Sequence, residues 1–267
     1  MLSVVMFAVL FGVASSQTTR VQPNDFTALL FMTLQITNKD PTWSQLTPAC
    51  QWKGITCNAD GRVKQIVWYN MNLGGYANLT TLPRGLQQLD LSYNQLTGNP
   101  SLTNLPQGLQ QLDLDRNQLT GQPFLATLPK GLQQLYLSFN QLTGTPDLAT
   151  LPQGLQQLDL DSNQLTGTPN LATLPQGLQQ LDLSNNKLTG TPDFTTLSQG
   201  LQQLSLADNN FSGSGSFVPS LPYPQGWCFA AQQKMCGALD GAYFILECPD
   251  CSFFVRLIIF IPNCIMQ

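Results

Sequence analysis

Histidine does not occur among these 267 residues, and that single absence removes the usual general base, the commonest metal ligand and every Ser-His-Asp or Cys-His constellation. Charge is scarce as well. Asp, Glu, Lys and Arg together make up 10% of the chain, well below the roughly one quarter found in ordinary globular proteins. The 11 basic residues do not offset the 15 acidic ones, and a net charge of −4 argues against a nucleic-acid binder, which needs a surplus of Lys and Arg. There is no nucleophile with a base, no phosphate loop and no convincing ligand set for a metal, so the sequence speaks against an enzyme and calls for no cofactor. Leu, Gln, Thr, Gly and Pro fill the space that charged residues leave, which is the composition of a repeat.

The repeat is regular. Aligned on the first Leu of "LQQL", the copies begin at Leu86, Leu109, Leu132, Leu155, Leu178 and Leu201, always 23 residues apart. One period earlier stands Val63, and "VKQIVWYNMNLGG" then places Val63, Ile66, Trp68, Leu73 and Gly75 where later copies carry Leu, Leu, Leu, Leu and Gly. That makes seven units, the first of them degenerate as an end repeat should be. Within the copy from Leu155 the apolar positions are Leu155, Leu158, Leu160, Leu165, Leu171 and Leu174, a pattern that neither a strand period nor a helix period fits throughout. Leu158-Asp159-Leu160 alternates, which predicts a short strand with leucines inward and polar residues outward. Asn163 follows, with Asn94, Asn117, Asn140, Asn186 and Asn209 at the same place in their copies. A bend there turns backbone N–H and C=O groups inward, where an unpaired polar group costs about 1 to 3 kcal/mol, and a stacked Asn column can pair them. Gly167 and Pro169 then break regular structure before a short return to the next strand. One unit cannot bury its own leucines, so copies must stack.

The line "LQQLDLSNNKLTG" resembles the LxxLxLxxNxLxG pattern of leucine-rich repeats, matched seven times in succession over residues 63–213. The resemblance implies a leucine-rich-repeat solenoid, a curved α/β horseshoe with a parallel β-sheet on the concave face, short 3-10 or irregular convex turns, and Cys-containing caps. Upstream, "DFTALLFMTLQITN" and "CQWKGITCNADGRV" resemble the plant-type N-terminal cap, a helix and a Cys-x6-Cys segment over the first repeat. Cys50 and Cys57 are the matching cysteines, implied to form its disulfide. The connector "GTP(D/N)LATLP" is similar in wording to leucine-rich surface antigens of kinetoplastid protists, and departs from the plant connector, which runs one residue longer.

Outward positions of the concave sheet are where such a scaffold meets a partner. Gln88, Gln111, Gln134, Gln157 and Gln180 belong to an unbroken glutamine column; Asp90, Asp113, Tyr136, Asp159 and Asp182 stand two residues on, with Asp115 and Asp161 beyond them. This makes the middle of the face polar and acidic, with Tyr136 and Phe139 at its centre and Tyr69 and Tyr93 near the start, while Trp68 is expected to point inward. Two accounts of the aspartates stand side by side. Carboxylates on adjacent strands repel, which suggests that a partner selects them; alternatively, duplicated copies simply inherited Asp at positions that solvent screens. A divalent ion between Asp159, Asp161 and Asp182 would lack the six to eight oxygens that calcium takes.

The remaining segments complete the expected organisation. Residues 1–16, "MLSVVMFAVLFGVASS", read as a signal peptide cut before Gln17, residues 17–62 as the N-terminal cap, and 63–213 as the solenoid. Residues 214–252 read as a Cys-rich C-terminal cap in which Cys228, Cys236, Cys248 and Cys251 form disulfides, with Cys264 left over. The tail 253–267 is apolar but too short to span a bilayer, and reads either as a remnant of an anchored ancestor or as a strand within the cap. Asn78 and Asn210 begin glycosylation sequons. The resulting expectation is a secreted or cell-surface recognition module that binds a protein or glycan through its concave face, with membrane association coming only through an anchor or a partner. A structural coat antigen with no single ligand is the alternative, which the uniform glutamines favour.

Overall fold

Each 23-residue coil buries its leucines against those of the coils before and after it. The computed structural model describes residues 24–192, 197 and 200–212, together with the backbone of two further strands, Ala242–Ile245 and Arg256–Ile261. The predicted alternation is realised as seven parallel strands: Val63–Val67, Gln88–Asp90, Gln111–Asp113, Gln134–Tyr136, Gln157–Asp159, Gln180–Asp182 and Gln203–Ser205. They pair in chain order at a constant shift of 23 residues, Gln65 opposite Gln88, Leu112 opposite Leu135, Asp159 opposite Asp182. This is the concave sheet of a curved leucine-rich-repeat solenoid. Leu86, Leu89 and Leu91 and their equivalents line its interior with essentially no solvent exposure. At roughly 1.5 to 3 kcal/mol for each fully buried leucine, this stacked ridge is the main stabilising element.

The Asn column performs the pairing expected of it. Asn94 Oδ1 accepts the Met71 and Leu73 amides, and its Nδ2 donates to the Trp68, Leu91 and Ser92 carbonyls. Asn117, Asn140, Asn163, Asn186 and Asn209 repeat the pattern one coil further each time, apart from the second amide that Asn94 alone accepts, and all are buried. Each side chain ties its own bend to the preceding coil, so the ladder welds neighbours as well as turning the chain.

Beyond the Asn bend the expectation of only irregular or 3-10 structure needs an addition. The segments Gln95–Gly98, Gln118–Gly121, Gln141–Gly144, Gln164–Gly167 and Lys187–Leu188 form a second parallel sheet. Its alternation is Gln out, Leu in, Thr out, and its N-terminal edge is closed by Gly74–Tyr76 and the antiparallel Gln35–Thr37. Gly167 ends its strand at φ +77°, with the Thr145 side chain of the previous coil where a Cβ would sit, so only glycine fits. The 3-10 turns Leu79–Thr81, Leu125–Thr127 and Leu148–Thr150 follow on the convex side.

The N-terminal cap is built from aromatic packing. Asn24 caps the helix Asp25–Thr33 by accepting the Thr27 amide at 2.8 Å, and Ala28, Leu29 and Met32 face the first coil. Trp43 stacks on Trp68 with ring centroids 3.9 Å apart, and both indole N–H groups donate to the Lys53 carbonyl. Trp52 packs beside them and donates to the Thr47 carbonyl. Trp68 therefore points inward, as its repeat position requires. Ile55–Cys57 adds an antiparallel strand to Val63–Val67, and Cys57 is bonded to Cys50 across the cap. At the other end, Arg256–Ile261 runs parallel to Gln203–Ser205, with Ala242–Ile245 antiparallel beyond it. The apolar tail thus supplies a strand that extends the concave sheet. The expected signal peptide and the cysteines at 228, 236, 248, 251 and 264 lie outside the described residues.

Candidate recognition face

The short strands of the concave sheet hold three outward columns in fixed register. The glutamines face solvent in part and link to each other across coils: Gln65 Nε2 donates to Gln88 Oε1 at 3.1 Å, and Gln134 Nε2 to Gln157 Oε1 at 3.0 Å. Gln111 and Gln180 hold the corresponding places on their strands. Paired amides of this kind form a level floor between the charged positions.

The aspartates have a local task that the sequence did not disclose. Asp90, Asp113, Asp159 and Asp182 each accept the backbone N–H two residues ahead, at 2.9 to 3.0 Å, and so pin the turn that leaves the strand. Tyr136 stands where the fourth strand should carry this Asp. The amide of Ser138, which would lose its acceptor, instead donates to Asp115 of the preceding coil. Tyr136 turns its hydroxyl to Gln157 Oε1. Asp161 accepts from the Ser184 hydroxyl at 3.0 Å and the Asn185 amide at 2.8 Å.

These carboxylates are half-buried, which the solvent-screened account did not anticipate, and burial raises the pKa values of Asp113, Asp115, Asp159 and Asp182. Asp113 is pushed up to about 7 by desolvation, with the charges of Asp115 and Asp90 adding to it against the Asp115 N–H bond. Asp159 also reaches about 7, again through desolvation first, with Asp115, Asp182 and Asp161 adding repulsion. Asp115 and Asp182 are raised for the same leading reason, and so is the Tyr136 phenol. Among the described residues the two ion pairs, Lys53 with Asp40 and Arg62 with Asp25, lie in the N-terminal cap and none reaches this face, where the charge of Arg116 acts on Asp115. A shallow hollow of about 100 Å³ opens here, lined by Tyr136, Gln157, Asp159, Gln180, Asp182 and Gln203.

Along the rim where strands pass into turns runs a ridge of large side chains. Tyr69 and Tyr93 meet edge to face with centroids 5.1 Å apart. The Arg116 guanidinium lies 5.0 Å from the Tyr93 ring and 3.8 Å from the Phe139 ring. Tyr93, Arg116 and Phe139 occupy one repeat position, and all three have left-handed backbone, φ +50° to +56°. Asn70, Asn185 and Asp208 hold the same position and conformation elsewhere, as short polar residues do readily; for a bulky side chain it costs about 1 to 2 kcal/mol. Arg116 escaped the sequence reading because it became notable only between two rings. The signal that could have found it is the break in an otherwise small, polar column.

Asn78 is half-buried and its Oδ1 accepts the Thr80 amide and hydroxyl, while Asn210 is exposed at the end of the solenoid. No group of three or more His, Cys, Asp or Glu able to hold a metal occurs among the described residues.

The leucine-rich repeat family profile matches residues 85–105, 131–151 and 177–197. None of the curated proteins compared matches the chain in sequence. Solved structures do. The chain is 28% identical to Pollen Receptor Kinase 3, with a TM-score of 0.59, covering 72% of this chain and 97% of that one. It is 26% identical to the leucine-rich-repeat ectodomain of the receptor kinase SOBIR1 from Arabidopsis thaliana, with a TM-score of 0.51 over 63% of this chain and 96% of that one. A plant ice-binding protein is 25% identical, with a TM-score of 0.50 over 70% of this chain and 72% of that one. By repeat and by architecture the chain is a leucine-rich-repeat solenoid, similar in structure to the ectodomain of a plant receptor kinase.

Proposed function

We propose that this protein is a secreted or cell-surface recognition module whose concave sheet contacts a polypeptide partner. The observation that carries this reading is the row of half-buried carboxylates facing open solvent, with no ion pair to any of them among the described residues and with the charge of Arg116 acting on Asp115. The turn bonds account for an acceptor at this position and not for the crowding of like charges, which a partner that brings positive charge relieves. The likeness to receptor ectodomains agrees with an extracellular setting. Asp113, Asp115, Asp159, Asp161 and Asp182, with Tyr136 and the glutamines at 88, 111, 134, 157 and 180, form the contact surface; Asp90 extends it toward the N-terminal coils.

A coat antigen remains the second reading, and the uniform outer face of the second sheet favours it, since Thr97, Thr120, Thr143 and Thr166 repeat unchanged and exposed. The resemblance to kinetoplastid surface antigens goes with that reading. Pull-down of cell-surface proteins and a glycan array with the full chain separate the two. The pair Gln134→Arg and Gln157→Arg blocks the concave face, while Gln118→Arg and Gln141→Arg place the same charge on the second sheet. Recognition by the concave face requires binding that is lost in the first pair and kept in the second. Equal loss in both, or nothing bound above background by the unmodified protein, removes the reading.

A further inference from the structure

The copies of this repeat are nearly identical, so the places where bulky residues interrupt them are informative. At the turn position following the concave strands, Asn, Ser or Asp occurs in four coils, and Tyr93, Arg116 and Phe139 in three consecutive ones. Tyr69 joins them from the neighbouring position, and the four side chains form one contiguous ridge in which the three rings are each 42 to 49% exposed. In the same central coils Tyr136 replaces an aspartate and Asp115 takes over the backbone bond that the replacement removed. Departures confined to adjacent coils, on one side of the sheet and against local turn preference, describe a surface shaped for contact.

We propose that this ridge and the adjoining floor form a composite subsite for an extended peptide in which a Lys or Arg side chain lies next to an apolar or aromatic one. The subsite rests on the reading of the concave sheet as the recognition face. Charge decides the occupant. Asp113, Asp115, Asp159 and Asp161 face the centre of the sheet, flanked by Asp90 and Asp182, and Arg116 beside them is held against the Tyr93 and Phe139 rings with its charge acting on Asp115. An incoming ammonium or guanidinium group completes the balance over Asp113 and Asp159, beside the hollow next to Tyr136. The exposed rings and the flat guanidinium then receive the neighbouring apolar side chain, as aromatic and Arg anchors do at the centre of protein interfaces. The raised carboxylate pKa values add a pH requirement, since Asp113 and Asp159 must be ionised to receive a cation, while the Tyr136 phenol stays protonated.

The test is panning of a displayed random dodecapeptide library on the immobilised full chain at about pH 8, followed by affinity measurement with the enriched peptides. The expected sequences carry Lys or Arg beside Trp, Tyr, Phe or Leu. Affinity should fall about tenfold or more in Tyr93→Asn with Phe139→Ser, which restores turn-favouring residues and so protects the fold, and comparably in Asp113→Asn with Asp159→Asn. It should also weaken below about pH 6 in the parent protein, a dependence that Asp113→Asn with Asp159→Asn removes. Enrichment of acidic or neutral sequences, binding indifferent to both pairs, or no enrichment at all overturns the subsite. Retention of neutral oligosaccharides by the ridge in place of peptides overturns the peptide assignment. If the concave-blocking pair abolishes partner binding while both ridge and carboxylate pairs leave it intact, this subsite falls and the broader recognition reading stands.

Discussion

Replacing Asn140 by alanine tests the Asn ladder at the centre of the solenoid. Asn140 Oδ1 accepts the Leu119 amide at 3.0 Å, and Nδ2 donates to the Leu114, Leu137 and Ser138 carbonyls at 3.0 to 3.2 Å. The carbonyls do not depend on it equally. Leu114 O also accepts from Asn117, Leu137 O from Asn163, and Ser138 O from the Arg116 amide. The principal loss is therefore the buried Leu119 N–H, at about 1 to 3 kcal/mol, with roughly 0.5 to 1 kcal/mol for each secondary bond. Together these give a destabilisation of roughly 2.5 to 6 kcal/mol for Asn140→Ala, measured by urea unfolding followed by circular dichroism. Gln141→Ala, one residue away on the exposed face, should stay within about 0.5 kcal/mol of the parent. Asn163 makes the equivalent bonds one coil later, so Asn163→Ala should match Asn140→Ala. A loss below about 1 kcal/mol at Asn140, or a large difference between the two positions, would refute both the accounting and the idea that each coil repeats its neighbour's energetics.

Because Asp113 and Asp159 rise from 3.8 to about 7 on folding, the folded chain binds more protons than the unfolded one between those values, and stability should fall as pH increases from about 4 to 7 and then level off. For one carboxylate alone the shift sets an upper bound of about 4 kcal/mol, reduced here by coupling and solvent access; Asp113→Asn with Asp159→Asn should flatten the profile and stabilise the protein at pH 8. Trp43→Ala removes a ring stacked on Trp68 and a bond to the Lys53 carbonyl, and should cost roughly 3 to 5 kcal/mol with a loss of near-ultraviolet dichroism. Reducing the Cys50–Cys57 bond opens a loop of sequence separation 7, for which chain entropy gives a loss of roughly 2 to 3 kcal/mol; a Cys50→Ser, Cys57→Ser variant as stable as the parent would contradict it.

Much of the architecture was legible because translational repetition leaves a plain mark on sequence. The 23-residue period, the buried leucines, the Asn column and the inward Trp68 follow from spacing and chemistry, the cap helix follows from the resemblance to the plant-type cap, and each is found where expected. The second sheet was not legible. Gln164-Leu165-Thr166 alternates for three residues only, too briefly to distinguish strand from loop, and its hydrogen bonds exist only once neighbouring coils lie beside it. The candidate site was legible in position and not in state. That Asp113 and Asp159 face outward can be read from alternation; that they are half-buried, hold turn amides and ionise near neutrality cannot.

By itself, then, the sequence determined a stack of identical coils, because apolar side chains recurring at a constant interval can be sheltered only by their own copies. Tertiary structure decided what the outer wall is. It set the depth of the carboxylates, brought Arg116 between the Tyr93 and Phe139 rings, and moved the Ser138 amide to Asp115 when Tyr136 took an aspartate's place. Those relations join residues about 23 positions apart, and burial, field and stacking depend on distance in space, which the linear order does not contain.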